Sequence, residues 1–466
     1  MKRIYYTFFI AVACLSSCSK LEENPAAFIS PVNFYKTRSD ALAAVSAAYA
    51  PLRTNGSESR NYIILGEIPT DNMFPLANNN DRVQLDQYTH TPQNGITREA
   101  WVNFYQGISR CNVVIGRVPD IAMEEPLRAR LVAEAKFLRG FYYFHLVRLF
   151  GDVPLVTAEV TSLAELTLPK RDPAAKVYEQ IITDLKDAET VLPVSYTSAD
   201  QGRATRGAAK AVLSSVYLRT KQFKLAADKA AEVMAAGSGY GLWDNYADVF
   251  DIKNEFGKEA IFDVQFVSGS SGQGSGLIAF FAQENNAVLG RGFGSFKPTP
   301  ELYDQFLATD LRRNVFFTRG TDNLYYCNKW VDADALTAGQ SDNNIPLMRY
   351  AEVVLTFAEA YNEVNVPVNG NEAYRAVNSI RKRAGLPDLA GLTQSQLRDA
   401  ILKERRLELC FEGQRWFDLV RTGRLVSTLT AAGTTNVKDY HNLMPVPQFD
   451  IDLNPNLKPQ NPGYPQ

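Results

Sequence analysis

Apolar positions along this chain recur mostly at helical period. From about Ala41 to Leu52, and again from Thr97 to Val118, they return every three or four residues, Trp101, Tyr105, Ile108 and Val113 among them. That spacing predicts amphipathic helices. The stretch "LVAEAKFLRGFYYFHLVRLFGDVPL" carries one stripe through Leu131, Ala135, Leu138, Tyr142, Leu146 and Leu149 and stops at Gly151 and Pro154. It reads as a long core helix with a defined end. Its tyrosines and phenylalanines are assigned to packing rather than to a ligand face, because an aromatic stripe at helical period normally faces a core. "GAAKAVLSSVYLRTKQFKLAADKAAEVMAAG" reads as two short helices around a turn near Lys221 and Gln222, and a second hairpin turns at Asn369 and Gly370. Small residues opposed to large ones make both pairs tetratricopeptide-like. Such pairs stack to bury a continuous core, so they predict a scaffold rather than a site.

The pattern changes in two places. Between Pro69 and Gly95 the chain is rich in Pro, Asn and Asp, which predicts a long loop of the functional kind. Between the two hairpins, "EAIFDVQFV" predicts a strand and Leu324 to Trp330 another, set among "SGSSGQGSG" and "GRGFGSFKPTPELYDQF". The expected fold class is therefore mainly α: tetratricopeptide-like helical hairpins forming a scaffold, with a loop-rich minor β or irregular region. The scaffold is placed at about 30–240 and 345–425 and the loop-rich ligand region at about 240–345. A tail at 440–466 has too many prolines for a helix and is expected to run extended over the surface.

Composition adds that 45% hydrophobic and 21% charged residues suit a chain with a large core. The N-terminus begins Met1, Lys2, Arg3 and then runs apolar from Ile4 to about Leu15. This is export-signal length, well short of the ~20 residues that span a bilayer. Leu15, Ser16, Ser17 and Cys18 follow in a row and look like a bacterial lipoprotein box. Cleavage after residue 17 would leave Cys18 to be acylated, and more than one acyl chain gives stable anchoring. Residues 1–17 are thus expected to be a signal peptide, with 18–466 as one domain. Cleavage removes two of the 49 basic residues and none of the 51 acidic ones. A mildly acidic body has no electrostatic reason to bind nucleic acid. Cys111, Cys327 and Cys410 are isolated and allow at most one disulfide, and His90, His145 and His441 are too far apart for a sequence-local zinc site.

Catalytic motifs are scarce. The glycine tracts lack the strand-to-helix setting and the Gly-Lys-Ser/Thr ending of phosphate loops. "NNNDRVQLD" offers oxygen ligands, so calcium is chemically possible, but it lacks the glycine and terminal glutamate of a calcium hand. Glu404, Glu408 and Glu412 are spaced four apart and could be imagined as a glycosidase pair. Arg405, Arg406 and Arg415 lie among them, and a carboxylate beside a guanidinium is a poor general acid. A structural ion-pair network is the expectation. What remains is a group of aromatics in loop contexts: Trp330 with Tyr325 and Tyr326, Phe293 and Phe296 beside Arg291, and Phe74 near Asp71 and Asn72. Sugars present flat C–H faces to rings and hydroxyls to Asp, Asn or Arg, so these residues form the expected ligand set.

Taken in order, "EAKFLRGFYYFHLVRLFGDVPL", "RATRGAAKAVLSSVYL", "MRYAEVVLTFAEAYNE", "SIRKRAGLP", "ERRLELCFEGQRWFDLVRTG" and "PQNPGY" resemble the SusD/RagB-like outer-membrane lipoproteins of Bacteroidota. The resemblance implies a helical body with a loop-built ligand site, no catalysis and no cofactor. It implies a protein anchored at Cys18 to the outer membrane and facing the exterior, with Glu22 and Glu23 resembling the acidic residues that direct such lipoproteins outward. The implied role is to capture a glycan and deliver it to a partner TonB-dependent transporter. A peptide or other nutrient is the alternative ligand on the same scaffold. A surface glycoside hydrolase and a helical-repeat adaptor are the alternatives from other classes.

Overall fold

The structure is a computed structural model that describes residues 34–160, 168–269, 273–283, 292–330, 332, 335 and 340–465. The leader, Cys18 and Arg291 lie outside the described residues. Ten principal helices make the body: α1 (Arg38–Tyr49), α2 (Gly95–Arg117), α3 (Glu125–Phe150), α4 (Ala174–Val191), α5 (Arg206–Arg219), α6 (Phe223–Met234), α7 (Tyr350–Val364), α8 (Glu372–Arg383), α9 (Gln394–Leu409) and α10 (Arg415–Arg421). Among the described residues six short strands accompany them: β1 (Met73–Pro75), β2 (Ala260–Val264), β3 (Phe296–Pro298), β4 (Phe317–Arg319), β5 (Tyr325–Cys327) and β6 (Ile345–Arg349). The fold is mainly α, as the apolar spacing predicts.

Local chemistry starts these helices where the sequence places polar caps. Thr37 and Asp40 close a capping box on α1, and Thr393 and Gln396 close another on α9. Asn94, Thr205 and Asn371 accept from first-turn N–H groups of α2, α5 and α8. The two hairpins turn where expected. Lys221 takes the left-handed conformation between α5 and α6, and Gly370 takes it between α7 and α8.

Consecutive helices pack on one another from α2 to α6, and α6 then packs directly on α7. The helical pile is thus continuous in space although about 115 residues separate α6 from α7 in sequence. Helix α3 lies at its centre. From Phe137 to Phe150 every side chain of α3 is buried, so the single stripe read from sequence understates its contact with the core. Tyr142, Tyr143, Phe141 and Phe144 are packing residues. Cys111, Cys327 and Cys410 are buried free thiols.

The strands form three antiparallel pairs, β1 with β3, β2 with β6 and β4 with β5. Pairing β1 to β3 brings Phe74 opposite Lys297. The Pro69–Gly95 segment is therefore not all loop. It contains β1 and a short helix, Asn80–Asp86, whose N-cap is Asn79. The tail likewise departs from an extended run, because Gln448–Leu453 is helical. It is tied down by Gln460 and Asn461, which hydrogen-bond Val446, Phe150 and Met444. Among the described residues no helix is long and apolar enough to cross a membrane.

Candidate ligand-binding face

The interior of α9 decides how the loop region is held. Glu404 and Glu408 are one turn apart and Glu412 lies just beyond the helix, all three buried. Glu408 Oε1 sits 2.7 Å from both Arg349 and Arg383, and its Oε2 is 3.3 Å from Arg312 and accepts from Tyr246. Arg312 also holds Glu404 at 2.6 Å and Asp310 at 2.8 Å. Arg349 and Lys329 hold Glu412 at 2.6 and 2.7 Å, and Glu259 bridges Arg349 and Arg383. Burial alone would raise the Glu408 carboxyl; the Arg383, Arg349 and Arg312 guanidiniums outweigh it and hold the group well below the usual carboxylate range. The expected ion-pair network is present with different partners. Arg405 pairs with Asp418, and Arg406 and Arg415 with Asp71. On a helix, neighbours in sequence point to different faces, so adjacent Arg residues cannot serve the Glu row.

Above this seam the loops build a face. Strand β3 packs between β1 and β5. Register turns Met73 and Pro75 inward and leaves Phe74 half-exposed. The β4–β5 hairpin closes through Gly320 to Leu324, with Asn323 left-handed. Tyr325 stacks on Tyr303 at 3.8 Å, and the Arg313 guanidinium lies 4.2 Å over the Tyr303 ring. Phe293, 53% exposed, meets the edge of Phe280, which stacks on Phe296 at 5.2 Å. Lys297 Nζ lies 3.1 Å from Asp322 and 4.9 Å over the Tyr326 ring, and the Tyr326 hydroxyl donates to Asp322 at 2.7 Å.

The residues expected from sequence divide accordingly. Phe74, Phe293 and Tyr325 are the rings left at least partly exposed, on segments that the β1–β3 and β3–β5 contacts bring together. Phe296 and Tyr326 are buried beneath them and act as supports. Asp71 and Asn72 are not free partners for a ligand. Asp71 receives two 2.8 Å bonds from Arg415, and Asn72 bonds Glu67 and Arg406. Although burial opposes it, the Arg415 and Arg406 charges keep the Asp71 carboxyl below its ordinary value. Trp330 is 2% exposed and packs edge-on against Phe250. A ring sealed in this way offers no face to a sugar. Sequence reasoning missed Tyr303, Phe280, Arg313 and Lys297. The only signal for Lys297 was its alternation with Phe296, and Tyr303 becomes visible only once β5 folds against it.

Known proteins resemble this chain along its length. The family model described as "SusD family" matches residues 314–464, and that described as "Starch-binding associating with outer membrane" matches residues 31–218. SusD-like protein P2 of Formosa agariphila is 31% identical over the whole of both chains. Starch-binding protein SusD of Bacteroides thetaiotaomicron is 25% identical, covering 85% of this chain and 84% of its own. A laminarin-binding SusD-like protein of known structure superposes with a TM-score of 0.82 at 29% identity, covering 92% of this chain and all of that one.

Proposed function

The chain belongs to the SusD family, and from that premise we propose that it captures a glycan at the cell surface through the face formed by Phe74, Phe293 and Tyr325. The observation that carries this reading is the open ring set itself. Phe293 is exposed and Phe74 and Tyr325 are partly exposed, while Phe280 meets Phe293 and Tyr303 stacks on Tyr325. Rings held in place lose little freedom when a ligand stacks on them. Asp322, exposed at the β4–β5 turn, offers a polar partner for sugar hydroxyls. Support also comes from relatives whose names record starch and laminarin binding.

On this reading the protein is not an enzyme. Glu404 and Glu408, the carboxylates whose spacing invites a hydrolase, are locked in arginine bonds beneath the face, and Glu408 is held in its ionised form. Cys18 carries the lipid and tethers the protein to the outer membrane. The captured glycan passes to a TonB-dependent transporter on which the helical body docks. The scaffold and loop region act as one domain. Affinity electrophoresis of the mature protein in gels containing starch, laminarin, mannan or xylan tests the ligand class, with a peptide library run in parallel. Retardation by at least one polysaccharide is expected. Binding to peptides alone would replace glycan by peptide as the cargo.

A further inference from the structure

A second cleft, of about 270 Å³, opens where the α4–α5 connection meets the segment leading into β2. It shares no residue with that face. At its lip stands Phe256, 41% exposed and with φ +59°. The local backbone explains how. Glu255 has φ −55° and ψ 147°, and the Gly257 N–H donates to Asn254 O at 3.0 Å. This is the geometry of a type II turn, whose third position favours glycine. Phenylalanine occupies that position here. Glycine stands one residue later, where a Cβ would lie 2.6 Å from the Trp243 ring.

Two costs coincide at Phe256. A bulky residue in the left-handed region is strained, and Phe256 remains 41% exposed with no ring contact to another aromatic among the described residues. The opposite wall is built to stay put: the Tyr240 hydroxyl bonds Thr205 at 2.9 Å and the Tyr196 hydroxyl donates to Ala204 O at 3.0 Å. Gln201 and Ser195 line the same cleft as exposed polar side chains.

The charged groups of the cleft are few. Arg203 is neutralised by Asp200 and Glu134. The Lys258 ammonium lies 5.0 Å over the Trp243 ring, with no carboxylate paired to it among the described residues. Burial pushes the Asp263 carboxyl up to about 7, with Glu255 and Glu412 adding to the effect, and its Oδ1 is buried without a hydrogen-bond partner. Rings, hydroxyls and amides thus line the cleft beside one ammonium.

We propose that this cleft is a second carbohydrate site, which takes one or two residues at the end of an oligosaccharide, with Phe256 and Tyr240 as its stacking faces. The volume is just under the ~300–1,000 Å³ of ordinary ligand pockets, which limits it to a short terminus. A chain held at both places would gain by effective concentration rather than by new contacts.

The test uses the mature protein and a panel of neutral hexasaccharides, read by titration calorimetry. Phe256→Gly puts glycine where the turn favours it, so the thermal midpoint should hold or rise while the ring is lost. In the Phe74→Ala/Tyr325→Ala background, where the ring face is disabled, residual binding at a stoichiometry near one is expected, and adding Phe256→Gly should weaken it at least tenfold. Binding that is unchanged by Phe256→Gly in both the wild-type and the disabled background overturns the second site while leaving the ring face standing. No residual binding in the disabled background overturns it as well. Loss on Phe256→Gly with no effect of the double substitution would keep the second site and sink the first.

Discussion

The ionic seam around Glu408 and the ring face around Tyr325 are neighbours made on opposite principles. In the seam every charge is buried and met by several partners, so that Glu408 alone touches three arginines and a tyrosine. On the face, by contrast, rings are anchored on one side and left open on the other. Burying charge is costly unless it is fully paired. A region that satisfies all its groups has nothing left to offer a ligand. The difference makes the seam the frame that fixes Arg349, Arg312 and Lys329 in place, and the face the surface proposed to meet a ligand.

Breaking the frame should have the largest effect. Glu408→Ala leaves three buried guanidiniums short of a partner and is expected to cost about 3–5 kcal/mol, read as a lower urea midpoint. A change below about 1 kcal/mol would mean that the seam does not hold the loops. Gly66→Ala should come next. A Cβ there would stand 2.0 Å from the Gly413 carbonyl oxygen, a backbone contact that cannot swing away. Overpacking of this kind costs about 1–3 kcal/mol, again measured by denaturation. Tolerance of alanine would show that this backbone approach is looser than described.

A smaller effect is carried by pH. Burial pushes Glu58 up to about 8 against the opposing Arg148 charge, and Glu352 up to about 7. A carboxyl with a raised folded pKa contributes stability that is full below its unfolded value near about 4.3 and is lost as pH climbs through the folded one. Asp418 runs the other way. Despite burial, Arg405 and Arg421 bring it down to about 2, so its contribution is full above the unfolded value near about 4 and is lost as pH falls from there through the folded one. The stability maximum is therefore expected near about pH 5, and Glu58→Gln should flatten the alkaline limb. A wild-type curve that rises from pH 5 to pH 8 would contradict this. Smallest in stability should be Tyr325→Ala, about 0.5–1.5 kcal/mol for the stacking lost against Tyr303.

The seam and the face also differ in how far the sequence reveals them. Glu404, Glu408 and Glu412 announce an ion-pair network by their spacing among arginines, and the hairpins announce their turns at Lys221 and Gly370. These are local signals. The partners of the row lie at Arg312, Arg349 and Arg383, which no local period connects to it. Strand β1 is three residues long and exists only because β3, more than two hundred residues later, pairs with it. A pattern read in a window cannot find such a strand, so Pro69–Gly95 looked like loop. Trp330 misleads for the related reason that its loop context says nothing about Phe250 closing over it. Available and buried rings look alike until the three loop segments are brought together.

The central claim is that the open rings bind and the frame beneath them does not. It is tested most directly by affinity electrophoresis of the Phe74→Ala/Tyr325→Ala protein on the polysaccharide that retards the wild type most, with thermal midpoints measured alongside. Retardation is expected to fall by roughly tenfold in affinity, about 1.4 kcal/mol, in a variant that still folds cooperatively, with its midpoint lowered only by the lost ring packing. Undiminished retardation of a folded double variant would contradict it.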